Sequence, residues 1–125
     1  MRGFISSGLF AASLLALTGM GHPALAAEHD GNWTVLIITE KGDCDRGYRY
    51  AVAVENGQVN YRGDAAGINM SGSVTPAGLV KVSIRLGDKG ADGTGHLSAT
   101  DGTGTWHGAG TNGASCTGRW EAERR

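Results

Sequence analysis

The sequence predicts an all-β fold, a small antiparallel up-and-down β-barrel of about eight strands with one disulfide. Three observations predict it. Short apolar/polar alternations recur about every ten residues, the spacing of sandwiches and barrels. Turn-forming dipeptides separate them, in a chain with 22 Gly among 125 residues. Beyond residue 26 no stretch keeps the 3.6-residue period of an amphipathic helix.

Residues 1–26 stand apart. Met1-Arg2 brings a positive charge, Leu9 to Leu17 an apolar run, and Ala24-Leu25-Ala26 the small-x-small pattern that a signal peptidase accepts. The run is too short to cross a bilayer. The expected division is a signal peptide over 1–26 and a single barrel domain over 27–125, in the periplasm or secreted, with no membrane insertion of the mature chain. About 100 residues suffice for one domain and leave no room for a second. The formal net charge is −1. No basic surplus points to nucleic acid or a membrane surface.

The strands follow in order. Trp33 to Glu40 is apolar and β-branched, and Lys41–Gly47 is a loop. Tyr48 to Glu55 alternates, with Tyr48, Tyr50, Val52 and Val54 on one face. Asn56-Gly57 predicts a tight hairpin, because both residues tolerate positive φ. Val54 then pairs with Val59 and Val52 with Tyr61, which keeps apolar side chains on one face. Ile68 to Val74 directs Ile68, Met70 and Val74 inward, and Thr75–Gly78 turns the chain. Leu79 to Leu86 alternates most regularly, with Val80, Val82, Ile84 and Leu86 inward. Gly87–Asp92 is expected as a loop. Gly93 to Thr100 and Thr103 to Gly108 form a hairpin across Asp101-Gly102, and Cys116 to Glu123 is the last strand.

Successive hairpins favour a barrel over a sandwich, since closure removes the exposed sheet edges. Trp33, Trp106 and Trp120 fall on the inward face as barrel-plugging core, and Leu97 joins them. Gly72, Gly95, Gly104 and Gly118 share that face and leave room beside the large rings. So many large inward side chains predict a packed interior rather than a cup.

Cys44 and Cys116 are the only cysteines. In an oxidising compartment they form one disulfide most simply. It closes a loop of about 70 residues, which the chain-entropy argument makes worth about 4–5 kcal/mol. The bridge also needs the first hairpin to lie beside the last strand, as closure requires.

Candidate chemistry is sparse. If Asp101-Gly102 is a two-residue turn, His96 faces His107 across the hairpin on the outer face. Two imidazoles at that distance are candidate metal ligands, with His29 as an unplaced third. Two ligands alone make a poor site, and two exposed histidines are the plainer reading. Asp92-Gly93-Thr94-Gly95 recurs as Asp101-Gly102-Thr103-Gly104, but the order differs from calcium β-roll repeats and fits turn chemistry. No His-Glu-x-x-His, Gly-x-Ser-x-Gly or phosphate loop occurs. Asp43 and Asp45 read as solvated loop carboxylates. No catalytic residue and no cofactor is expected.

Gly-x-Trp occurs at Gly31-Asn32-Trp33, Gly104-Thr105-Trp106 and Gly118-Arg119-Trp120. The first copy opens the first strand and resembles the Gly-x-Trp of lipocalin and avidin-type barrels. Three longer stretches run from Gly31 to Tyr50, Gly102 to Gly108 and Cys116 to Arg124. They resemble a group of uncharacterised small exported β-barrel proteins of Gram-negative bacteria. That resemblance implies an address and a single disulfide, and no activity. Periplasmic protease and lysozyme inhibitors are also small disulfide-tied barrels. The lysozyme-inhibitor pattern Ser-Gly-x-x-Tyr is not met by Ser71-Gly72-Ser73-Val74-Thr75, which lacks the Tyr.

The expected function is a non-enzymatic exported binding module. Its loops Lys41–Gly47, Gly63–Gly67, Gly87–Asp92 and Gly110–Ser115 would meet an exported or envelope protein, as in an inhibitor. The alternatives are a small-ligand or metal carrier in the periplasm and a structural envelope protein. The interior discriminates between them: an apolar void above roughly 300 Å³ favours a carrier.

Overall fold

The computed structural model describes residues 28–109 and 113–125. The signal peptide expected over 1–26 lies outside the described residues. Eight antiparallel strands close into a barrel in sequence order: β1 Gly31–Lys41, β2 Gly47–Glu55, β3 Gln58–Tyr61, β4 Ile68–Val74, β5 Leu79–Leu86, β6 Lys89–Leu97, β7 Asp101–Ala109 and β8 Ser115–Arg124. β1 closes the sheet against β8, with Ile37 opposite Trp120 and Val35 opposite Ala122. No helix occurs among the described residues.

The expected hairpin at Asn56-Gly57 is present. Both residues have positive φ, 53° and 76°, and Val54 pairs with Val59 and Val52 with Tyr61. Asp30 accepts from the amides of both Asn56 (2.8 Å) and Gly57 (3.1 Å), which ties the turn to the start of β1. Cys44 and Cys116 form the disulfide, across a sequence separation of 72.

Two connections differ from expectation, and the other strand limits shift by two residues at most. β6 begins at Lys89 rather than Gly93, because Gly87-Asp88 is a complete two-residue turn with Leu86 opposite Lys89. Gly87 has φ 64°, as a tight primed turn asks of its first position. The β6–β7 turn lies at Ala99-Thr100 rather than at Asp101-Gly102. Ser98 Oγ donates to Asp101 Oδ1 (2.9 Å), and the Ser98 amide donates to the Asp101 carbonyl (2.7 Å). On the next strand Arg124 holds the turn's carbonyls: its Nε donates to Ala99 O (2.7 Å) and its amide to Thr100 O (2.9 Å). These bonds outweigh the local preference of Asp-Gly. The register slips by an even number, so every side chain keeps its face.

The core runs through Trp33, Val52, Val54, Val59, Val74, Val80, Leu97, Trp106, Trp120 and Ala122. Each indole N–H is satisfied by a backbone carbonyl: Trp33 to His29 (3.0 Å), Trp106 to Ile38 (3.0 Å) and Trp120 to Thr94 (3.2 Å). Trp33 plugs one end of the barrel. Trp106 and Trp120 lie along the wall. A Cβ on Gly95 or Gly104 would overlap the Trp120 ring. These glycines let the indole rest flat on the β6–β7 backbone instead of crossing the lumen.

Candidate functional site

The interior is not filled, which corrects the packed-core expectation. A cavity of about 340 Å³ runs along the barrel axis. The physical reason is the wall of β6–β8, where Ala91, Gly93, Gly95, Gly104 and Ala122 put little volume inward. Trp120, the large ring nearby, is flattened against that wall.

One end of the cavity is closed. There it is lined by Trp33, Val54, Val74, Val80, Leu97 and Ala122, all buried. The other end reaches Tyr48 (39% exposed) and Leu86 (46% exposed), together with Asp43, Asp45 and Lys89. The mouth is therefore at the end that carries the β1–β2, β3–β4, β5–β6 and β7–β8 connections. These are the four loops singled out by sequence. The third is only the turn Gly87-Asp88, and residues 110–112 of the fourth lie outside the described residues.

The β1–β2 loop is held over the mouth by covalent and polar ties. The disulfide joins it to β8. A register shift between Thr39 and Lys41 marks a bulge in β1. Buried Thr39 donates through Oγ1 to Asp45 O (2.6 Å) and through its amide to Arg46 O (3.0 Å). Asp43 and Asp45 thereby line the mouth rather than a free loop. Neither they nor Lys89 forms an ion pair within 4.0 Å among the described residues.

Three tyrosines run down the same side. Tyr48 stacks on Tyr50 with centroids 6.1 Å apart, and Tyr50 meets Tyr61 edge-on at 6.0 Å. Tyr61 Oη accepts from the amide of Ala65, which anchors the β3–β4 loop (3.0 Å). Partial burial raises the Tyr48 phenol above its ordinary value, and the Asp45 carboxylate adds to this. Burial likewise raises Tyr50, with Tyr48 and Tyr61 contributing. Parity places these tyrosines inward, but nothing in parity marks Tyr48 and Tyr50 as lining a mouth, with Tyr61 beside Tyr50 outside the lining.

The proposed histidine pair is not formed. His96 lies opposite Thr103, and His107 opposite Asp92. Both point outward, but four residues of strand separate them, about 13 Å. The cause is the displaced β6–β7 turn. Instead, His96 Nε2 lies 3.1 Å from the Ala77 carbonyl. A Cβ at Gly78 would sit 3.1 Å from His96 Nε2 and 3.4 Å from His29 Nε2, so His29 and His96 share that corner. No set of three His, Cys, Asp or Glu placed to hold a metal occurs among the described residues.

His107 belongs to an outer row, Ser83–Asp92–His107, on three adjacent strands. Ser83 Oγ donates to Asp92 Oδ1 (2.5 Å), and Arg85 lies 3.5 Å from the same oxygen. The Ser83 bond first, then Arg85 and His107, hold the Asp92 carboxyl below its ordinary value. The carboxylate sits between the hydroxyl and the imidazole, so His107 is not placed to take a proton from Ser83.

Comparison with known proteins finds no matching family model, no matching curated protein and no matching solved structure.

Proposed function

We propose that this is a non-enzymatic binding protein that carries a small apolar ligand inside the barrel, exported to an oxidising compartment. The observation that carries the reading is the open cavity of about 340 Å³. It falls within the size range of small-molecule sites, and its walls are mainly aliphatic and aromatic, with Asp43, Asp45 and Lys89 at the mouth. The disulfide supports the compartment, since such bridges persist where thiols are not kept reduced. The test is the native mass of the protein purified gently from its own host, beside displacement of an environment-sensitive apolar dye. An added mass of hundreds of daltons, with dye displaced by small apolar compounds, is expected. A bare chain that also takes up no dye overturns the proposal.

A second reading keeps the protein partner. Four connections gather at the mouth, and Tyr48 and Leu86 are exposed among them. An added mass of thousands of daltons in the same measurement would favour it.

A further inference from the structure

We infer that the ligand is a single-chain alkyl amphiphile, inserted tail first, with its polar head kept at the mouth beside Tyr48. This rests on the carrier reading above and names its ligand class.

The argument begins with what the deep cavity lacks. Its walls are Trp33, Val35, Val52, Val59, Val82 and their neighbours. Apart from the Tyr48 and Tyr50 phenols and Lys89 toward the mouth, the side-chain donors of the lining are the three indole N–H groups, and each is already bonded to a backbone carbonyl. Backbone groups of the lining strands are paired in the ladders over most of their length, except between β3 and β4, which pair only at Gln58 and Ser73. A polar atom carried to the floor would therefore lose its water and gain no partner, at a cost of about 1–3 kcal/mol or more. Whatever enters deeply must be hydrocarbon.

Shape narrows the class further. The inward column of β5 runs from Val80 at the floor to Leu86 at the mouth. Six residues at a rise of about 3.4 Å, tilted about 40°, span roughly 15 Å of depth. An extended chain of about a dozen carbons has that length, at roughly 1.3 Å per carbon from tetrahedral bond geometry. A chain laid along that depth meets the apolar wall from mouth to floor, which a shorter bicyclic ring does not.

The head stays where water reaches. At the mouth the Tyr48 and Tyr50 rings stand on the same side as the loop that carries Asp43 and Asp45. Lys89 opens β6 after the β5–β6 turn, across the barrel from that loop in the strand order. Aromatic rings beside carboxylates that form no ion pair among the described residues attract a cationic head and repel a carboxylate one.

The test uses alkyl probes below their micelle-forming concentrations, on the disulfide-bonded protein, read by tryptophan fluorescence and calorimetry. Alkyl trimethylammonium salts of rising length should tighten by up to about fourfold per methylene. The gain should stop near a dozen carbons. The dodecyl ammonium should bind tighter than dodecanoate, and D43N/D45N should erase that preference, read as the ratio of the two affinities. A naphthalene-sized ring that outbinds every chain, or affinity independent of chain length, overturns the inference and leaves the carrier reading standing. Tighter binding of dodecanoate than of the dodecyl ammonium overturns the assignment of the mouth. If neither chains nor rings bind, the carrier reading itself fails. A91F, which fills the lumen midway, should abolish binding of long chains; M70F gives the same readout if A91F does not fold.

Discussion

The guanidinium of Arg124 lies 4.6 Å from the centroid of the Trp33 ring, and its nitrogens donate to the carbonyls of Glu28, Asp30 and Ala99. One side chain near the end of the last strand thus stacks on the indole that closes the barrel floor. It also satisfies carbonyls from the start of the described chain and from the β6–β7 turn. Strand closure makes this possible, because Trp33 pairs directly with Arg124 across the β1–β8 seam.

Arg124→Ala should therefore destabilise the fold by about 2–4 kcal/mol, from lost charge-assisted hydrogen bonds and the cation–π contact. Arg124→Lys should recover less than half of this, since an ammonium cannot reproduce the planar fork. Denaturant midpoints at unchanged slope measure both. Equal stability of Ala and native proteins would refute the staple.

Removing the bridge with C44A/C116A should cost about 4–5 kcal/mol, the loop-closure entropy restored to the unfolded chain. Because the β1–β2 loop is also held by Thr39, the loss should concentrate in global stability. Amide exchange of the Asp45–Arg46 segment should rise only modestly in the native state, and a fully unprotected segment would contradict the Thr39 pin.

Gly104→Ala places a methyl against the Trp120 ring and the Thr94 carbonyl. We expect a loss of about 1–3 kcal/mol from overpacking. Trp120 should be pushed toward the lumen, with a weaker response of tryptophan fluorescence to cavity ligands. An unchanged melting temperature would show that the wall yields without cost.

The phenols of Tyr48 and Tyr50 should ionise above the ordinary value of about 10, as ultraviolet difference spectra can record. Burial favours their neutral forms in the folded state. The stabilisation this represents is whole below the unfolded value and is lost as pH rises through the folded one. Asp45→Asn should lower the Tyr48 midpoint without returning it fully, since burial is the larger cause.

Asp92 carries the opposite sign. Its carboxyl is held low, so its contribution is present above the unfolded value near 4 and fades as pH falls through the folded one. Ser83→Ala should raise its midpoint in a carbon-13 titration, because the Ser83 bond is the first cause of the shift. An unmoved midpoint would mean the Arg85 contact suffices.

Much of the barrel is legible in the sequence. Alternation in Leu79–Leu86 and Tyr48–Glu55 reports which face each side chain occupies, and Asn56-Gly57 reports a turn whose backbone few other pairs adopt. Two cysteines that must meet between the first hairpin and the last strand imply closure. These are local or pairwise signals, and a chain with period-two side chains states them directly.

Register and volume were decided only by the tertiary structure. Alternation is blind to an even slip, so the Ser98–Asp101 clasp and the Arg124 contacts could move the β6–β7 turn and separate His96 from His107 without changing any residue's face. The cavity is less local still. Counting inward side chains predicts a filled interior. Whether they meet depends on where all eight strands place them, and glycines opposite Trp120 let the largest ring lie against the wall. The sequence by itself determined the parity of each residue and the closure of the sheet. The lumen, the mouth and the side chains that face each other there are properties of the whole closed surface, because they depend on distances between strands that alternation along one strand does not encode.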